Sequence, residues 1–435
     1  MLDNERTVRM GNILKNELDC TCEEFLASVY GERSRPCSAA MKTLFSSVLM
    51  RSSTIVKELS APLRNSNSRI EAKRVQEMVS RWLVNYDFDG KLNPYLLGHA
   101  AQAADERTTF AIDFSDISKE FGGGGMEGME LGYDGSRGCT AMGHDFISIS
   151  IVGAGHLEAD PVYVKLGEGR HRKGELLHDA ITALMEATGG RGWMVLDRGM
   201  DDAEFIFRMK SGGRHAVVRI RDMKRDVFGN GRAIDATLSA LPFRKAHLNT
   251  YRGVRKVGLR CAKGVMQYCT NPRSKGAPTQ ETRLLVVESR FDGKSIYLYV
   301  VCPDEVVDDQ DRAWEFAVRA AQAYCDRWQI ETSFQSVKQE FRLEDARVRK
   351  FKRLVNIFDL CFLSYVFMIR YLRSSRCFKR IVKVFSDNFR TLTLRMHSLL
   401  AGLRELYGAE TVRNITGRPK KVIVESQAQM LFQLE

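Results

Sequence analysis

The stretch from Thr108 to Asp197 constrains the fold most. TTFAIDFSD is a β-branched and aromatic run that ends in acids, and a glycine-rich segment follows it (Gly122 to Gly125, then Asp134-Gly135-Ser136). Two more strand-like runs, DFISISIV and PVYVKL, come next. GELLHDAITALMEATGG then has helical periodicity with a glycine stop, and GWMVLDRG reads as a short buried strand that closes at Asp197. The order strand, strand, strand, helix, strand predicts an antiparallel meander with a helical return, hence an α/β sheet layered with helices.

Around this segment the texture changes. At 435 residues the chain exceeds one compact core, so two to four units are expected. Residues 1 to about 100 read as short helices broken at Pro36, Pro62 and Asn65-Ser66-Asn67-Ser68, with helical spacing in Ala39–Leu49 and Ile70–Val84. Ser53, Thr54 and the Ala61-Pro62 turn would suit a helix-turn-helix that reads DNA, although small helical bundles are also common. Residues 213–302 carry strand patterns at HAVVRIRD, VRKVGLRCA, TRLLVVESRF and SIYLYVVC, an inserted β-unit. After Pro303 the pattern is helical from about Asp311 to Lys338 and from about Leu354 to Arg373.

The charge is localised. Residues 214–290 hold 17 Lys/Arg against five acids, and residues 341–435 hold 19 against eight. Such clusters neutralise phosphates and release counterions, which makes nucleic acid the natural partner, with a solvated basic face as the plain alternative. The first thirty residues lack the apolar stretch of a secretory signal, and no uninterrupted apolar run reaches the length of a membrane span, so export and membrane insertion are not expected. The ten cysteines are irregularly spaced; the Cys20 and Cys22 couplet lacks a second pair at zinc-finger spacing, so reduced thiols are expected.

Three acids stand where strand and helix ends can gather them: Asp113, Asp197 and Glu331. On the second long helix Tyr324, Arg327, Glu331 and Lys338 lie at offsets of 0, 3, 7 and 14, within about 60° of one another around an ideal helix axis. A narrow stripe of phenol, guanidinium, carboxylate and ammonium suits a charged ligand; an ordinary i,i+4 surface pair of Arg327 and Glu331 explains part of it equally well.

At these residues the chain resembles a known family. Tyr324-x2-Arg327-x3-Glu331-x6-Lys338 matches the Tyr-Arg-Glu-Lys pattern of bacterial insertion-sequence transposases of the DDE type. AIDFSDISK is similar to that family's first-acid strand, and WMVLDRGMDD to its second. The resemblance runs from about Thr108 to about Arg373. It implies an α/β, ribonuclease-H-like catalytic core interrupted by a β-rich insertion, and cut-and-paste DNA transposition. It implies that Asp113, Asp197 and Glu331 are catalytic and hold two Mg²⁺ ions, with Mn²⁺ able to substitute, Asp113 bridging both ions. It also implies that Tyr324, Arg327 and Lys338 grip phosphates of double-stranded DNA.

Some assignments stay open. Asp116, three residues after Asp113, is the rival first ligand, although strand alternation sends the two to opposite faces. Arg198 and Gly199 either shape the turn beside the metals or form a plain strand-end turn, and Asp201 and Asp202 read as helix N-terminal acids. His144, His171 and His178 read as DNA-facing or structural, because Mg²⁺ prefers oxygen. Some family members stack a flipped base on a tryptophan of the β-insertion. The tryptophans here are Trp82, Trp193, Trp314 and Trp328, none of them in 213–302, so a hairpin route would need Tyr297, Tyr299 or Phe291 instead.

The expected division is a helical DNA-binding domain at 1–105, a catalytic domain at 106–212 and 303–375, the basic insertion at 213–302, and a helical dimerisation or DNA-contact region at 376–435; Arg373, just before it, and Arg376, Lys379, Arg380 and Lys383 are the cations expected to serve either role. The expected function is a transposase that acts as a homodimer on the ends of its own element and on target DNA. Its expected setting is the bacterial cytoplasm near the nucleoid, without a membrane or small-molecule substrate. The rivals are a nuclease that cuts without joining and a DNA-binding descendant without catalysis.

Overall fold

A computed structural model describes residues 17–31, 35–51, 53–63, 68–119, 125–134, 138–153, 158–170, 173–250, 253–269 and 279–372. The expected region at 376–435 therefore lies outside the described residues, as do Arg373 and His171. The chain divides into two compact units, one of Met1–Asp87, Lys338–Arg347 and Lys352–Glu435, the other of Phe88–Val337 and Val348–Phe351.

The larger unit is built on one mixed sheet. Its strands are β1 (Thr109–Ser118), β2 (Glu130–Asp134), β3 (Cys139–Val152), β4 (Asp160–Leu166), β5 (Trp193–Leu196), β6 (His215–Arg219), β7 (Arg244–Thr250), β8 (Gly253–Cys269), β9 (Thr279–Phe291) and β10 (Lys294–Val301). They run in the order β2-β3-β1-β5-β6-β10-β9-β8-β7, with β4 also on β3. β1, β5 and β6 are mutually parallel neighbours, whereas β1, β3 and β4 form the antiparallel meander that the sequence predicts. The β-rich stretch 213–302 joins this sheet edge to edge, β6 beside β5 and β10 beside β6.

Helices cover both faces. On one side lie α5 (Asp89–Ala103), α6 (Lys173–Thr188), α7 (Ala203–Ser211) and α8 (Ile234–Ser239), packed on Phe110, Ile112, Met194 and Val218. On the other lie α9 (Asp304–Asp308) and α10 (Gln310–Arg327), whose Ala313, Ala317, Ala320 and Ala323 meet Trp193, Val195 and Val217. Small alanines at helical spacing let α10 lie close against the strands. Local chemistry sets the boundaries: Asp202 caps α7 through the N–H groups of Glu204 and Phe205, and Asp309 caps α10 through those of Asp311 and Arg312. Gly192, at φ 95°, turns the chain into β5 where a Cβ would lie 2.6 Å from the Phe110 ring.

The helix expected from Asp311 to Lys338 is not continuous. α10 stops at Arg327, α11 (Gln329–Gln335) follows, and a π-turn covers Ser336–Glu340. Three-residue bonds, from Trp328 N–H to Cys325 O and from Glu331 N–H to Trp328 O, tighten the junction.

The smaller unit is helical and uses both halves of the chain. It contains α1 (17–30), α2 (Arg35–Arg51), α3 (Val56–Leu59), α4 (Arg69–Asn85), most of α12 (Phe351–Val366), and a second π-turn at Phe367–Leu372. The α2 and α4 spans match the helical spacing read from sequence. Ser68 caps α4 by accepting the Glu71 N–H. Phe25 packs on Phe45 and Phe367, with ring centroids 5.9 and 5.2 Å away, and Asn356 donates to the carbonyls of Leu83 and Tyr86. Residues 351–372 are long and apolar enough to cross a membrane, yet 83% of that window is buried by the chain itself. Ser53 and Thr54, offered above to a DNA-reading turn, are fully buried; the Thr54 hydroxyl donates to the carbonyl of Arg342.

Candidate active site

The parallel register creates the site. Ile112 pairs with Leu196, and Leu196 with Val218, so the next residues on three adjacent strands are Asp113, Asp197 and Arg219. Neighbouring strands lie roughly 4.8 Å apart, so these three emerge in one row. Alternation sends Phe110 and Ile112 into the layer with α6 and α7, and turns Asp113 to the side of α10.

Helix α10 brings the partners. The Tyr324 hydroxyl donates to Asp197 Oδ1 at 2.9 Å, and Arg219 stands 3.5 Å from the same oxygen and 3.4 Å from the Tyr324 hydroxyl. Arg327 donates to Asp113 Oδ2 at 2.6 Å and to Glu331 Oε1 at 2.9 Å. A single buried guanidinium thus bridges two of the acids, with its Nε left without a partner. Arg219 escaped the sequence reading. It closes the third parallel strand at the level where Asp113 and Asp197 leave theirs, which only the strand register reveals.

The electrostatics separate the two aspartates. Burial pushes Asp113 up, and despite Arg327 and the Phe114 N–H the carboxyl rises to about 6, helped by the negative charges of Asp197 and Glu331. Burial also pushes Asp197 upward, but the Arg198 N–H, Arg327, the Tyr324 hydroxyl and Arg219 outweigh it and hold the group below its ordinary value. Burial raises the Tyr324 phenol to about 12, so it stays a donor. Burial works against the charge on Arg327, yet Asp113, Tyr324, Asp197 and Glu331 hold it above its ordinary value.

The other sequence candidates fall elsewhere. Lys338 sits on the π-turn in the helical unit, 3.3 Å from Glu344. Asp116 pairs with Arg170 at 3.0 Å and with the Ser118 hydroxyl, away from Arg327. Arg198 and Gly199 form a 3₁₀ turn after Asp197. Asp202 is a helix cap as expected, whereas Asp201 is buried against Arg225 and accepts the N–H groups of Arg221 and Asp222. His144 is buried, its Nδ1 accepting the Gly169 N–H at 3.0 Å, which makes it structural; His178 lies 3.3 Å from Arg208. Tyr299 is fully buried in the core and cannot stack on a base, Tyr297 is partly buried, and Phe291 is exposed. Cys20 is exposed and Cys22 buried, so the two do not share a setting.

Among the described residues no group of three His, Cys, Asp or Glu side chains holds a metal geometry as placed, Arg327 being the cation shared by Asp113 and Glu331. The donor chemistry suits a hard divalent ion: Asp113 and Glu331 share the Arg327 cation, and Asp197 closes the neighbouring strand, so the acids present oxygen donors to positive charge.

A mixed sheet with parallel central strands that carry acids toward one covering helix defines a ribonuclease-H-like core. The family described as Transposase DDE domain matches residues 106–367, and the chain belongs to that family. No curated protein matches the chain.

Proposed function

We propose that this transposase binds the terminal inverted repeats of its own insertion sequence, cleaves the ends and joins them to target DNA. The observation that carries this reading is the row of Asp113, Asp197 and Arg219 on parallel strands, facing Tyr324 and Arg327 of α10. In this reading Asp113, Asp197 and Glu331 hold two magnesium ions, or manganese in their place. Such ions, when bound, supply charge neutralisation and Lewis acidity to the phosphodiester.

The protein's own groups do the rest. Asp197, held below its ordinary value with Tyr324 and Arg219 beside it, and Asp113, raised to about 6 and so mostly ionised above that pH, would both serve as ligands. With the acids engaged by metal, Arg327 would be free of at least one of its two carboxylates and would offer its fork to a DNA phosphate. Tyr324 and Arg219 orient the same backbone, and Lys338, in the helical unit, would be a separate phosphate contact. Two ends must be processed together, so a homodimer on DNA is the proposed active form.

A strand-transfer assay with Mg²⁺, DNA carrying the element's ends and a supercoiled target tests this. Joined products are expected; nicks alone would favour a nuclease, and bound but uncut DNA a lapsed descendant. Asp113→Asn, Asp197→Asn and Glu331→Gln should each lower cleavage by several orders of magnitude while DNA binding persists. Full cleavage by Asp197→Asn would reject the triad.

A further inference from the structure

The ribbon of β7 and β8 is the most one-sided charge feature of the sheet. Residues 244–269 hold seven Lys/Arg and no Asp or Glu. One face of the ribbon is sealed: Ala246, Leu248, Val257 and Leu259 pack against Trp314, Val318 and Ala321 of α10. Strand alternation therefore puts Lys245 and His247 on the other face, where Lys245 pairs with Gly258 and His247 with Lys256. Lys245, His247 and Lys256 are exposed, and among the described residues none has an ion-pair partner.

Lys245 and Lys256 are diagonal neighbours across the ladder, and like charges set so close on one face do not stabilise it. The same face continues onto β9, where Gly258 pairs with Arg290. The Phe243 ring covers Gly258, and the guanidinium groups of Arg260 and Arg290 lie 4.3 and 5.7 Å from its centroid. Arg260 is neutralised by Glu288, whereas Lys245, Lys256 and Arg290 have no ion-pair partner among the described residues and form the cationic row of this face.

The ribbon is also fastened to the helix of the acidic site. Gln322 of α10 accepts the Asn249 N–H at 2.7 Å and donates to the Asn249 carbonyl at 2.8 Å, two residues before Tyr324. Anything held on the ribbon is thereby held at a fixed offset from Tyr324 and Arg327.

We propose that the exposed face of this ribbon, through Lys245, Lys256 and Arg290, is a second grip on the phosphate backbone of duplex DNA, separate from the acidic site. The proposal rests on the transposase reading above. The charge argues for a polyanion, and backbone contact accounts for it without sequence readout.

The test uses the full chain and a labelled 30-base-pair duplex of arbitrary sequence, with chelator present, and follows fluorescence anisotropy from about 50 to 300 mM salt. Lys245→Gln with Lys256→Gln should make the logarithmic salt slope shallower by about 1.8 and weaken binding about tenfold at 100 mM salt, at an unchanged melting temperature. Lys245→Arg with Lys256→Arg should retain wild-type binding. Lys263→Gln with Arg283→Gln, which removes the same charge where it is paired with Asp308, should behave as wild type. Equal slopes for wild type and the Gln pair overturn the ribbon grip and leave the transposase reading standing. Binding by wild type that ignores salt overturns both.

Discussion

In the proposed metal site Arg327 is the cation with which a divalent ion would compete, since one guanidinium answers Asp113 and Glu331 together. Removing it leaves two like charges facing each other in a partly desolvated site, a loss on the order of 2 kcal/mol. Arg327→Ala should therefore melt below wild type in chelator. Magnesium should then raise its melting temperature more than it raises that of wild type, because no guanidinium has to be displaced; a smaller rise in the variant would contradict this. His144 gives a second residue-level prediction. Its Nδ1 must stay an acceptor for Gly169, and burial, with Lys119 and Arg170 nearby, depresses the ring to about 4 from an ordinary 6.5. The unfolded chain takes up the proton between those values and the native chain does not. Stability is thus fully present above pH 6.5 and lost as pH falls toward 4, by about 3 kcal/mol at most. Urea midpoints measured across that window should slope less for His144→Gln than for wild type.

At the scale of elements, α10 links fold and site. Its alanine face sits directly on β5 and β6, so Ala320→Leu should overpack the layer and cost about 1–3 kcal/mol, read as a lower urea midpoint with an unchanged m-value. The same elements show what the sequence disclosed. β1, β3, β4 and β5 were legible as apolar runs, as were β6, β8, β9 and β10, because each buries a face and so carries an alternating or continuous pattern. β7 was not: RKAHLNT buries only Ala246 and Leu248, and its charges look like loop. β2, ELGYD, hid in a glycine-rich stretch for the same reason. Tyr324, Arg327 and Glu331 share a face as an unbroken helix would place them. Lys338 cannot be reached by the same arithmetic, because the junction at Trp328 and the π-turn reset the period. Neither irregularity has a side-chain signature, and Arg219 needed strand register, which no local pattern carries.

At the scale of the whole molecule, the helical unit is completed by segments from both halves of the chain. Leu354, Ile357, Phe358, Phe362 and Phe367 are fully or almost fully buried in it, and Asn356 ties them to the end of α4. A variant without residues 1–87 should consequently expose that apolar helix, bind a hydrophobic dye and elute as aggregate in size-exclusion chromatography. A monodisperse product that ignores the dye would show that α12 has no need of the leading helices. The interleaving also dictates an order in time. On the ribosome α1, α2 and α4 emerge first, yet their apolar partner is translated only after residues 88–350, a wait on the order of tens of seconds at about 5–20 residues per second. Nascent chains that stop anywhere inside the sheet leave those leading helices unsealed, and so present themselves to chaperones and proteases as unfinished goods.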